Sequence, residues 1–294
     1  MAVDLTAYRI GVRRGAGVAP RPRTSIIALV TNDTTMLSRC LRTVEGTLPA
    51  DDAAEVIVLA NGTPAPALAG LEHGENIVLI SSPVNHGFAG GCNLAVRCAR
   101  GERLVFLNDD VTVREGWLEG LHGVLDRDAD TAVAGSRVIL SGGRLQEAGS
   151  VLWRDGSTSG IGRGHDPQAR RYSAPRIVDY VSFCSAMVRR SAWEEAGGFD
   201  ERYFPAYYED LDLCLTLNSL GWKVMYEPAS VVEHDEGGSA ARHLRDFLSR
   251  RNQARFVAKW SSVLDGYENP PTTETDRADA EDRALGRAAR RRWP

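Results

Sequence analysis

The chain has 294 residues, 43% of them apolar, and a formal net charge of −4 from 35 Lys and Arg against 39 Asp and Glu. That apolar content excludes a disordered or collagen-like chain, and the near-balance of charge excludes a dedicated nucleic-acid binder, whose phosphate contacts need a basic surface. Five cysteines without a Cys-x-x-Cys pair are expected as reduced, buried thiols, and the absence of an apolar leader after Met1 predicts a cytoplasmic chain, at most peripheral to a membrane.

Residues 1–23 interleave Arg9, Arg13, Arg14, Arg21 and Arg23 with Gly and Pro and are expected as a flexible arm. From there the chain alternates. Short apolar runs at 25–30, 55–59, 76–80 and 103–107 predict strands, and helical spacing at 36–44, 92–100 and 116–126 predicts the helices between them. Such βα alternation, with nearly continuous apolar strands, predicts a mostly parallel α/β sheet covered by helices on both faces. Ligands of such sheets sit at the carboxyl ends of the strands, where Thr31, Asn32, Asn61, Asn85 and Asn108-Asp109-Asp110 would lie. The pattern changes after Ala132: 133–140 and 178–189 read as strands, 142–171 as an irregular region, 191–197 and 209–220 as helices, and 223–226 and 230–232 as short strands. A helix over 240–260 is expected to bury Leu244, Phe247, Leu248, Ala254, Val257 and Trp260, and its arginines permit contact with a membrane surface. The organisation expected is therefore an arm (1–23), a domain (24–264) divided into 24–131 and 132–264, and a disordered or helical tail (265–294). The Ala- and Arg-rich stretch 283–292 would suit either a tail or a partner helix of a homodimer.

Five groups of residues suggest chemistry. Asn108-Asp109-Asp110 places two carboxylates at the end of a buried strand, a hard oxygen site for Mg²⁺ or Mn²⁺ or else an Asx turn. Glu209 and Asp210 open a helix behind Tyr207-Tyr208, as a cap favoured by the helix dipole or as a general base raised by burial. His234 ends a strand and serves either structure or ligation. The stretch Asn85 to Asn93, with Gly87, Gly90 and Gly91, could turn its amides to an anionic ligand at a helix start or form a tight turn. Arg250-Arg251-Asn252 on the late helix would contact phosphates or present a solvated face.

In order along the chain, these pieces resemble the GT-A inverting glycosyltransferases of family 2, rhamnosyltransferases included. The resemblance runs over about residues 24 to 260 and rests on Ile26–Asn32, Val56–Thr63, Asn85–Asn93, Leu104–Val111, Gln146–Gly149, Gly197–Glu201, Tyr207–Asp212, Gly221-Trp222, Val232–His234 and Arg251-Asn252. It implies a GT-A fold, a UDP- or dTDP-linked sugar as donor, and a divalent cation, Mn²⁺ or Mg²⁺, held by Asp110 and His234. It further implies Asp210 as the base, with Glu209 beside it, and Asp109 with Asn108, Thr31, Asn32, Asn61, Asn85, Gly90 and Asn93 around the nucleotide. Two positions depart from the family pattern. Asn108 stands where the first acid of the metal motif usually is, and Ala60 stands where an acid usually holds the nucleobase. The acceptor would be a glycan, a lipid-linked glycan or a natural product. Two other readings share these residues: a nucleotidyltransferase, disfavoured by Thr31–Thr35 in place of a Gly-rich loop with Arg and Lys, and a non-catalytic nucleotide-sugar-binding protein.

Overall fold

A computed structural model describes residues 10–32, 34–48, 53–68, 76–235 and 242–290. The alternating half folds as β2 (Thr24–Val30), α1 (Thr35–Thr47), β3 (Ala54–Asn61), β4 (Ile77–Ser82), α2 (Gly87–Cys98) and β5 (Arg103–Leu107). The four strands are parallel, in the order β4-β3-β2-β5. Their runs are apolar throughout because both faces are covered. Successive side chains of a strand point to opposite faces, so Ile26, Ala28 and Val30 pack on α1 while Ile27 joins the core beneath α2. Helix α3 (Trp117–Arg127) covers the same face as α1 through Trp117, Leu118 and Leu121.

The second half extends this sheet. Strand β12 (Ser185–Arg189) enters antiparallel between β5 and β7 (Thr131–Leu140), and β13 (Lys223–His234) runs parallel to β7. The two short strands expected over 223–226 and 230–232 are one strand, with a register shift between Glu227 and Val231 absorbing the polar interruption. Strand β6 (Val111–Val113) pairs antiparallel with the last residues of β13. The irregular region carries β8 (Leu145–Glu147), β9 (Ser150–Leu152) and β10 (Thr158–Gly160). Of the strand expected over 178–189 only 185–189 is a ladder strand; β11 (Arg176–Ile177) precedes the expected start, and Tyr180, Ser182, Phe183 and Cys184 between the two line a cleft. Helices α4 (Arg190–Ala196) and α5 (Glu209–Ser219) pack on the α2 face.

The arm and the late helix differ from expectation, and within the tail 274–290 takes the helical of its two expected forms. Within the expected arm, β1 (Gly11–Arg14) pairs antiparallel with β4 and caps the sheet edge, tied down by Arg14 to buried Glu55 at 3.1 Å. Residues 1–9 of that arm and 291–294 of the tail lie outside the described residues. Helix α6 (Arg242–Leu264) buries Leu248, Asn252 and Phe256, a row spaced four residues apart, and leaves Leu244, Phe247 and Ala254 exposed. The segment 274–290, within the expected tail, forms α7 (Glu274–Arg290), whose Ala280, Ala284 and Ala288 are buried against the same chain. Among the described residues no helix is long and apolar enough to cross a membrane.

Candidate active site

The carboxyl end of β5 and the last turn of β13 meet because β6 folds back onto β13. In that register His234 lies opposite Val111, which brings its ring beside Asp110. The backbone oxygen of Asp110 accepts from Asp235 N at 3.1 Å, and Arg39 pairs with the Asp235 carboxylate, so the turn is held from two sides. His234 Nε2 stands 3.1 Å from Asp110 Oδ1. The other ring nitrogen, Nδ1, lies 2.8 Å from Gln146 Oε1 on β8. Facing an amide oxygen, Nδ1 donates, which fixes the ring with Nε2 turned toward Asp110. Asp110 Oδ1 is itself buried without a hydrogen-bond partner. An imidazole nitrogen and a carboxylate oxygen thus face one another across a short gap, two atom types that ligate divalent cations. Among the described residues no cluster of three or more His, Cys, Asp or Glu side chains could hold a metal ion. Burial and the adjacent Asp110 push the Asp109 carboxyl up to about 6.

Across the cleft, α5 starts with Glu209 and Asp210. The residues before it, Tyr207 and Tyr208, hold φ of 78° and 81°, left-handed values that are costly for a side chain with a Cβ. The cost is met by Asn252, fully buried on α6, whose Nδ2 donates to the carbonyls of Tyr203, Ala206 and Tyr207 at 2.8–2.9 Å. This turn aims both acids into the cleft. Burial raises the protonation of both above the usual carboxylate range, and for Glu209 repulsion from Asp210 adds to it. Asp210 collects N–H donors from Leu211 at 2.8 Å, Phe183 and its own backbone, whereas Glu209 has donors from its own backbone and Tyr207 while its Oε2 is buried with no partner. Donors stabilise the ionised form, so Asp210 is the member of the pair that ionises first.

The cleft encloses about 390 Å³ and is lined by Asn108, Asp110, Glu209, Asp210 and His234, together with Phe88, Gln146, Tyr180, Ser182, Tyr207, Tyr208 and Arg245. Thr31, Asn32, Asn61, Asn85, Gly90, Asn93 and Asp109 do not line it. Three of those amides have internal partners. Asn61 donates to Asn85 Oδ1 and Gly87 O and accepts from His86 N; Asn85 accepts from Gly87 N; Asn93 bridges to Phe199 and Glu201. The backbone N–H groups of His86, Gly87 and Phe88 are taken by Asn61, Asn85 and Pro205, so the glycine-rich stretch is a tight turn at this helix start. Gly87 is required there: its φ is +70°, and a Cβ would come within 2.6 Å of Pro205 O. Of the aromatic residues, Trp153 is core and Trp222 bonds Glu195. Arg251 reaches Phe204 O. A larger hollow of about 850 Å³ opens at the amino ends of β2 and β5, and there Arg23 pairs with Asp126.

Sequence reasoning placed no role on Gln146, Tyr180, Ser182 or Arg245. Gln146 and His234 are 88 residues apart and meet only through the pairing of β8 with β7 and of β7 with β13. No local spacing signals that contact.

Comparison with known proteins decides the family. The model of glycosyl transferase family 2 matches residues 25–196. The chain belongs to glycosyl transferase family 2. This family-2 member is 29% identical over 229 residues to a pre-mycofactocin glycosyltransferase of Mycobacterium tuberculosis, covering 77% of the chain and 45% of that relative. It is 32% identical over 142 residues to an N-acetylglucosaminyl-diphospho-decaprenol L-rhamnosyltransferase of the same organism, covering 47% of the chain and 44% of the relative. The chain thus spans less than half the length of these relatives. Its fold is GT-A: the structure is similar to GalNAc-T7 with UDP, GalNAc and Mn²⁺ (TM-score 0.66, 15% identity, 81% of this chain and 48% of the other). It is also similar to the mannosyltransferase PcManGT of Pyrobaculum calidifontis with GDP-Man and Mn²⁺ (TM-score 0.60, 16% identity, 94% and 75%).

Proposed function

We propose that this family-2 chain transfers a glycosyl group from a nucleoside-diphosphate sugar to an acceptor hydroxyl, with inversion at the anomeric carbon. One observation carries the reading: in a single cleft the Asp110–His234 pair faces the carboxylates of Glu209 and Asp210. Asp110 and His234 would hold a divalent cation, Mn²⁺ or Mg²⁺, with Gln146 orienting the imidazole. Bound there, the cation supplies positive charge against the departing diphosphate. The buried, unpartnered Asp110 Oδ1 supports this fit, as do the two structurally similar transferases described with Mn²⁺.

Asp210 accepts the proton of the attacking hydroxyl. Its raised proton affinity makes it a better base than an exposed carboxylate, and its backbone donors keep it ionised near neutrality. Glu209, its neighbour, holds its own proton more tightly because Asp210 is charged. Because the nucleophile is the acceptor oxygen itself, one displacement suffices and inverts the anomeric configuration. Tyr180 and the strained Tyr207-Tyr208 turn form walls against which the sugar or acceptor rests. Asn61, Asn85 and Asn93 contribute by shaping the turn beside the nucleotide end. UDP and dTDP sugars are the proposed donors, and a glycan, lipid-linked glycan or natural product the acceptor.

Calorimetry with UDP, dTDP, GDP and CDP, each with Mn²⁺, Mg²⁺ or a chelator, tests the site. One nucleotide is expected to bind only with metal and to lose binding in Asp110→Ala. Asp210→Asn is expected to keep that binding and lose turnover by roughly 10²–10⁴-fold. Nucleotide binding that survives both chelation and Asp110→Ala would remove the metal from the proposal, and failure of all four to bind would remove the donor.

A further inference from the structure

We infer that the outer face of the first turns of α6, with Phe204, docks on an anionic membrane surface beside the mouth of the cleft. Leu244 and Phe247 are 51% and 61% exposed, and Phe204 is 50% exposed. Phe204 and Phe247 are the exposed phenylalanines among the described residues. Arg251 joins them: it lies one helical turn after Phe247 and donates to Phe204 O. Aromatic and aliphatic side chains in water at this density mark a surface that meets something apolar.

The chemistry around them decides for lipid. Arg250 and His243 are exposed beside Phe247, and Arg255 donates to the carbonyl of exposed Arg202 below Phe204. Arg202, Arg250, Arg251 and Arg255 stand here against Asp200, Glu201 and Asp246, a net positive face in a chain whose net charge is −4. Apolar side chains ringed by arginine suit an acyl–headgroup boundary with negative lipid, whereas a neutral protein partner has no need of the ring. The opposite side of the same helix turns places Arg245 and Ser249 in the cleft. A bilayer under Leu244 and Phe247 would therefore lie at the lip of the cavity that holds Asp210. Docking does not depend on the transferase reading; its corollary, an acceptor presented from the lipid surface, does.

Flotation of the 294-residue chain with vesicles tests it. Binding is expected to phosphatidylglycerol-rich vesicles, not to pure phosphatidylcholine, and to fall steeply in high salt. Phe247→Ser with Leu244→Ser, and separately Arg250→Glu, should each weaken partitioning by at least about tenfold. Leu220→Ser, at an exposed apolar position elsewhere, should leave it unchanged. Equal binding to both vesicle types, no binding to either, or an equal loss in Leu220→Ser would overturn the docking site. So would a lipid-free dimer that Phe247→Ser dissociates, because the face would then be an interface between copies. Nucleotide binding measured on the same variants stays at the wild-type level if the docking face and the cleft are separate. Wild-type chain that floats yet binds no nucleotide would sink the reading of the cleft while leaving the docking site standing.

Discussion

Glu209 shows how much the site costs the protein. Its Oε2 is buried without a partner and its carboxyl is pushed above the usual range by burial and by Asp210. A carboxyl whose protonation is raised by folding takes up protons as the chain folds. The stability this imposes is therefore lost as pH rises from the ordinary carboxylate range through the raised one. Glu209→Gln removes the ionisation and keeps the shape. It is expected to raise the melting temperature by about 2–5 °C at mildly alkaline pH, and the gain should vanish in acid, where both forms are neutral. Melting curves across pH check this; a gain that persists in acid would show that burial of the charge is not its source. The acids themselves were legible in the sequence, as were Asp110 and His234. What was hidden was the environment of each. Whether a carboxylate collects N–H groups, as Asp210 does, or is left bare, as Glu209 Oε2 is, depends on where Phe183 and the Tyr207 turn fall in space.

At the scale of elements, the strands were legible because their apolar period is local, and β5, expected over 103–107, spans Arg103–Leu107. Helix α6 was harder. Its expected stripe included Leu244 and Phe247, which are exposed, and omitted Asn252 and Phe256, which are buried. A polar residue at the centre of a buried row breaks a hydrophobic pattern, yet three carbonyls of the 203–207 turn need a donor there, and Asn252 supplies it. Asn252→Asp sets an acceptor oxygen against those carbonyls. It is expected to cost about 3 kcal/mol in urea unfolding, with Asn252→Gln no better than partly tolerated because its longer amide overreaches. An unfolding midpoint equal to wild type in Asn252→Asp would mean that the turn is held by other groups.

For the whole molecule, an ion pair with buried Asp179 ties α7 to the segment beside the cleft. Arg287 of α7 pairs with buried Asp179 at 2.7 and 2.9 Å, donates to Glu268 at 2.7 Å and lies 3.8 Å over the Tyr267 ring. Asp179 in turn accepts from Leu152 N, one residue before the cleft-lining Tyr180. Arg287→Ala leaves a buried carboxylate without its cation. It is expected to destabilise by about 3–5 kcal/mol, and Asp179→Asn in the same chain should recover much of that loss. If the double variant were no more stable than the single, the pair would not be what anchors α7. The sequence by itself determined the alternating sheet, the family pattern and the chemical residues at strand and helix ends, because each depends on residues a few positions apart. Only the tertiary structure decided that α7 packs on its own chain, that Gln146 orients His234, that Asn252 holds the strained turn and that Leu244 and Phe247 face outward. Each of these rests on strand register or helix packing between distant segments, and such contacts leave no periodic trace in the chain.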